Sequence, residues 1–181
     1  MADIRRSDLV AGVVHVKPTV HADDRGVFVE TWRQEWVPHA LPMVQGNRAD
    51  RAAGSLVGLH HHLRQADYWY VPVGAVRVVL HDLRSGSPTH GATECFDLGG
   101  DEHGGVYIPP GVGHGFAAIT DVTITYLVDR YYDPADELGV AWDDPDVAGE
   151  WGVDHPVLSA RDQDNPRRAD LPEDQLPVWA G

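Results

Sequence analysis

The sequence predicts an all-β fold, a sandwich or barrel of short antiparallel strands ending in an irregular C-terminal segment. Three observations carry this. Short runs rich in β-branched and aromatic residues recur along the chain, each bounded by Gly, Pro, Asp or Ser. Helical periodicity is almost absent. The 19 glycines and 13 prolines are scattered among those runs, which suits many tight connections and not alternating strands and helices.

Taken in order, residues 13–16 (Val-Val-His-Val) form the first predicted strand and stop before Pro18. Residues 27–32 follow the turn Asp23-Asp24-Arg25-Gly26. Residues 32–40 supply one or two helical turns before Pro42, and residues 58–62 (Gly-Leu-His-His-His) read as extended. Strands at 68–73 and 75–82 flank Gly74, and two more follow at 105–108 and 122–128. Beyond about residue 133 the composition turns rich in Asp and Pro but keeps Trp142 and Trp151, apolar anchors that predict a tail packed on the barrel. No repeat or linker marks a second domain, so residues 1–181 are expected to form one.

Composition narrows the partners. With 14 basic and 28 acidic residues the net charge is −14, which speaks against nucleic acid or an anionic membrane. A few arginines in a cleft can still bind an anionic small ligand. The single cysteine, Cys95, excludes an intrachain disulfide and a Cys-rich zinc site, and reads as a small buried hydrophobe. No apolar run approaches a membrane span and no signal peptide opens the chain, so a cytoplasmic protein is expected.

The chemistry concentrates in four residues. Alternate side chains of an extended strand share a face, so His60 and His62 point one way and His61 the other. Asp67 can return to that face after a bend, and His114, in Pro-Pro-Gly-Val-Gly-His, can close the cluster. The set suits either a metal or a base inside a small barrel. At His60 these roles exclude each other, because a nitrogen bound to a metal cannot take a proton.

The pattern His-x-His-x4-Asp-x6-Gly, with a later Pro-x-Gly-x2-His, resembles the two motifs of the cupin superfamily. That resemblance implies a cupin-type antiparallel jelly-roll barrel with its site inside the mouth. In metal-binding members the matched ligands would be His60, His62, Asp67 and His114, a set suited to Fe(II), Mn(II), Ni(II) or Zn(II). Further blocks are similar to the dTDP-4-dehydrorhamnose 3,5-epimerase family. They include Asp24-Arg25-Gly26-Val27-Phe28-Val29-Glu30, Gln45-Gly46-Asn47, Gly58-Leu59-His60 and the stretch from Asp82 to Thr89. His114-Gly115-Phe116, Tyr126 with Tyr131-Tyr132-Asp133-Pro134, Trp142-Asp143-Asp144-Pro145 and Leu158-Ser159-Ala160-Arg161-Asp162 continue them in family order.

This second resemblance implies epimerisation at C3 and/or C5 of a nucleotide-linked, dTDP-type 4-keto-6-deoxyhexose, in deoxysugar biosynthesis. His60 would be the base, Asp162 its orienting carboxylate and Tyr126 the opposing acid, while Arg25, Glu30, Gln45, Asn47 and His114 would line the nucleotide-sugar cleft. It also implies a homodimer, with the strand near residues 13–16 joining the partner's sheet, and no organic cofactor. Two departures stand out. The family's Arg-Gly-Leu-His here reads Val57-Gly58-Leu59-His60, and Asp67 stands where the family carries Lys. An enolate beside an unpaired carboxylate costs roughly 4 kcal/mol at contact distance in an intermediate dielectric. Arg51, Arg64 or Arg77 could compensate, or a divalent ion acting as Lewis acid. Two other readings stay open: a metal-dependent cupin isomerase or oxygenase built on the His/Asp cluster, and a non-catalytic sugar-nucleotide-binding relative.

Overall fold

The structure, a computed structural model, describes residues 1–180 as thirteen antiparallel strands with almost no helix. In chain order they are β1 (Asp3–Arg6), β2 (Val14–Lys17), β3 (Val20–Asp23), β4 (Gly26–Val29), β5 (Gln45–Arg51), β6 (Leu56–His61) and β7 (Asp67–Val73). β8 (Ala75–Asp82), β9 (Thr93–Gly99), β10 (Gly105–Ile108), β11 (Val112–Ala118), β12 (Val122–Val128) and β13 (Leu138–Gly139) follow. The order β1-β2-β10-β7-β12-β5 forms one sheet and β13-β6-β11-β8-β9 a second, with β3-β4 a separate hairpin. This is the jelly-roll barrel of a cupin-type fold.

Alternation places the core between the two sheets. Val106, Ile108 and Ile124 of the first meet Val78, Leu80 and Phe116 of the second, all buried. Burying such side chains contributes roughly 1.5–3 kcal/mol each. Both sheets are also covered outside. Trp151, Val140 and Val147 of the C-terminal segment pack on Leu56, Leu59 and Val79, and the Trp151 indole donates to the Trp142 carbonyl at 2.9 Å. The expected irregular tail is therefore anchored as its tryptophans predict. Across the barrel, Trp32, Trp36 and Val37 cover Tyr68, Tyr70 and Tyr107. The helical turns expected at 32–40 shrink to a single 3-10 turn, Gln34–Trp36.

Gly74 sets the register between β7 and β8. Its φ is +78°, and a Cβ there would collide with the Asp121 carbonyl. The turn after β8 is held by a buried pair, with Arg84 Nε donating to Asp82 Oδ1 at 2.7 Å and Arg84 Nη2 reaching the Ala11 carbonyl at 2.7 Å. β2 pairs with β1 on one side and β10 on the other, inside its own sheet, so it offers no free edge to a partner. Among the described residues, no helix is long and apolar enough to cross a membrane.

Candidate active site

A cavity of about 260 Å³ opens between the sheets. β6 supplies His60 from one wall and β12 supplies Tyr126 from the other, with Ala49 and Arg51 of β5 and His114 of β11 at the sides. Strand alternation turns His61 away, where it is fully buried and its Nε2 donates to the Gln175 carbonyl at 3.1 Å. Two glycines let β6 lie close to β11. A Cβ on Gly58, whose φ is +126°, would stand 2.7 Å from Gly115 Cα and 3.0 Å from the His114 carbonyl.

His60 Nε2 lies 2.6 Å from Asp162 Oδ1. The carboxylate arrives on α1 (Ala160–Asp164), whose N-cap, Ser159, accepts from the Asp162 amide at 3.1 Å. Burial would raise the Asp162 carboxyl, but the bond and charge of His60, with Ser159 and Arg161, outweigh it and hold the acid below its ordinary range. An ionised carboxylate only accepts, so Nε2 carries a proton, and in the neutral ring Nδ1 is the nitrogen with the lone pair. That nitrogen is 3.8 Å from Glu137 Oε1, which in turn receives Arg161 Nη1 at 2.8 Å.

His62, Asp67 and His114 form a second group, one that His60 does not join. His62 Nδ1 donates to the Asp136 carbonyl at 2.7 Å and His114 Nδ1 to the Val112 carbonyl at 2.9 Å. Each ring therefore spends Nδ1 on the backbone and presents Nε2 to the interior of the group. Asp67 Oδ1 accepts from Gln65 Nε2 at 2.9 Å and Oδ2 from the Trp69 indole at 3.2 Å, while His62 Nε2 stands 3.9 Å from Oδ1. Burial pushes the His114 imidazole down to about 4, so it is neutral near pH 7.

Burial raises the Tyr126 phenol, and the charges of Asp67 and Glu137 push it the same way, so the hydroxyl keeps its proton. Gln45 and Asn47 share the face of β5 that carries Ala49 and Arg51, and Gln45 Nε2 donates to Asn47 Oδ1 at 2.9 Å. Arg25 and Glu30 lie elsewhere. Arg25 pairs with Asp23 on the hairpin and Glu30 with Arg33 at 3.0 Å, and neither lines this chain's cavity. Of the three cations considered for the cleft, only Arg51 borders it, since Arg64 pairs with Asp133 and Arg77 with Asp97. Val57, which the resemblance sets in place of an arginine, does line it. Trp69, whose aromatic run reads equally as barrel core and rim or as base-stacking groups, is a wall residue; Glu137, Arg161 and Gln65 are wall residues that the sequence did not single out, and of these Arg161 alone had a signal, as neighbour of Asp162 in a recognised block.

The chain matches the family profile described as dTDP-4-dehydrorhamnose 3,5-epimerase over residues 8–170. It is 39% identical over 163 residues to the dTDP-4-dehydrorhamnose 3-epimerase of Streptomyces niveus, covering 86% of this chain and 79% of that one. The crystal structure of NovW, a 4-keto-6-deoxy sugar epimerase of Streptomyces spheroides, superposes with a TM-score of 0.93 at 36% identity, covering 99% and 94% of the two chains. The epimerase RmlC of Legionella pneumophila, in complex with dTDP-4-keto-L-rhamnose, also gives 0.93, at 27% identity and complete coverage of both.

Proposed function

The chain belongs to the dTDP-4-dehydrorhamnose 3,5-epimerase family, and from that membership we infer an isomerase of deoxysugar biosynthesis that acts on a dTDP-linked 4-keto-6-deoxyhexose at C3, C5 or both. The observation that carries the assignment of roles is the His60–Asp162 pair at 2.6 Å on one wall, with Tyr126 on the facing sheet.

The C4 ketone acidifies the protons on its neighbouring carbons. His60 Nδ1 takes one, and the C–H electron pair moves onto the ketone oxygen as an enolate. The imidazolium so formed lies between Asp162 and Glu137, two carboxylates held ionised, at 2.6 and 3.8 Å. Tyr126 then gives its hydroxyl proton to the opposite face of the carbon, inverting it, and solvent resets both groups. This chemistry needs no organic cofactor. A nucleotide-linked substrate fits a cytoplasmic setting.

Deuterium wash-in tests the reading. In D2O, the wild-type chain should place deuterium at C3 or C5 of a dTDP-4-keto-6-deoxyhexose. His60→Asn and Asp162→Asn should each slow this roughly 100- to 10,000-fold. Incorporation at the background rate by wild-type protein would remove the assignment.

A homodimer completes the cleft. β3 and β4 form a hairpin outside both sheets with Val27 and Phe28 61% and 66% exposed, and an isolated hairpin has little stability of its own. Seated on a second copy, it would bury those side chains and bring Arg25 and Glu30 to the partner's pocket. Sedimentation should report a dimer that Phe28→Glu weakens; a monomeric wild type sinks the arrangement.

A further inference from the structure

We propose that His62, Asp67 and His114 form a divalent transition-metal site beside the proton-transfer pair, and that the ion carries the positive charge toward the ketone oxygen that Val57 and Asp67 do not.

The three residues come from different turns of the chain, yet their ligating atoms all lie within 4.8 Å of one another. Each is almost fully buried, at 5%, 4% and 5% exposure. An ion at ~2.1 Å from each donor needs them roughly 3–3.5 Å apart, so side-chain adjustments of about an ångström complete the site. The surroundings are already those of ligands. Both imidazoles donate Nδ1–H to backbone carbonyls, which leaves Nε2 of each as the nitrogen available to an ion. Asp67 is oriented through both oxygens by Gln65 and Trp69.

The buried Asp67 carboxylate faces two imidazole nitrogens, with His62 Nε2 at 3.9 Å, and among the described residues no Lys or Arg forms an ion pair with it. Two imidazoles and one carboxylate with open positions suit Fe(II), Ni(II), Co(II) or Zn(II), and leave room for a substrate oxygen. The placement also frees His60. It is the register partner of His114 across β6 and β11, so ion and base sit one strand apart, and His60 spends its Nε2 on Asp162. The ion polarises the ketone while the imidazole takes the neighbouring proton, a division impossible if His60 were itself a ligand.

The site stands on its own geometry; the Lewis-acid role rests on the epimerase reading. Tag-free protein, stripped with chelator and reloaded with Co(II) or Zn(II), should retain a stoichiometric ion through gel filtration, and the Co(II) form should show d–d absorption. Asp67→Asn and His114→Gln should weaken binding more than roughly 100-fold, while His60→Asn keeps it. Asp67→Lys, which restores the family's residue, should abolish binding in a chain whose circular dichroism is unchanged. A wild type that retains no ion, binding that survives Asp67→Lys, or binding lost equally in His60→Asn overturns the site. Equal deuterium wash-in by stripped and loaded enzyme overturns the Lewis-acid role and leaves the epimerase intact. Ion binding without wash-in in either form supports the site, and sinks the epimerase reading together with the role built on it.

Discussion

Tyr126 and His60 reach the cavity from different sheets, so removing either should leave a different half of one reaction. Without its hydroxyl, a Tyr126→Phe chain still loses a proton to His60 but cannot be reprotonated from the far side. Deuterium should therefore enter recovered substrate while epimer falls roughly 100-fold or more, both read by NMR. If wash-in and epimerisation fall together, Tyr126 is not the acid. At this scale the sequence was uneven. His60, His62 and His114 were legible because strand periodicity and glycine spacing mark them. Asp162 was visible only through a recognised block, since its own neighbours, Arg161 and Gln163, look like a solvated loop. Glu137 left no mark at all: its position 3.8 Å from His60 depends on how an aperiodic segment folds back over the barrel.

The strands show why some elements announce themselves. β8 and β12 have the bounds their composition predicts, because Val, Ile and Leu dominate them. β5 (Gln-Gly-Asn-Arg-Ala-Asp-Arg) does not look like a strand, since one face meets solvent and the other lines a polar cavity. β11 is buried at every residue, and its small side chains erase the alternation that would have revealed it. The same small residues set how closely β6 and β11 approach. Gly58→Ala adds a methyl against the neighbouring backbone at a φ that L-residues rarely adopt. It should cost about 2 kcal/mol or more in a urea titration. A midpoint shift equivalent to less than about 0.5 kcal/mol, the usual scatter of a neutral substitution, would mean the two strands separate freely.

Covering both sheets on both faces also buries groups that would rather be wet. His61 and His81 are fully buried, and each keeps one ring nitrogen without a partner. Burial pushes both imidazoles from 6.5 down to about 4. Between those values the unfolded chain binds protons that the folded one refuses, so stability is full above pH 6.5 and declines as pH falls toward 4. Each imidazole should contribute on the order of 1 kcal/mol per pH unit across that window. Urea midpoints measured at several pH values check this, and His81→Gln should flatten the slope; a wild-type midpoint constant from neutral pH to 4.5 contradicts it. One last property follows from where Asp162 is carried. It belongs to the closing segment, after every strand of the barrel has been laid down. The carboxylate that steadies the base is thus delivered by the segment following the last strand, and undocking that segment would leave the His60 imidazole without its partner.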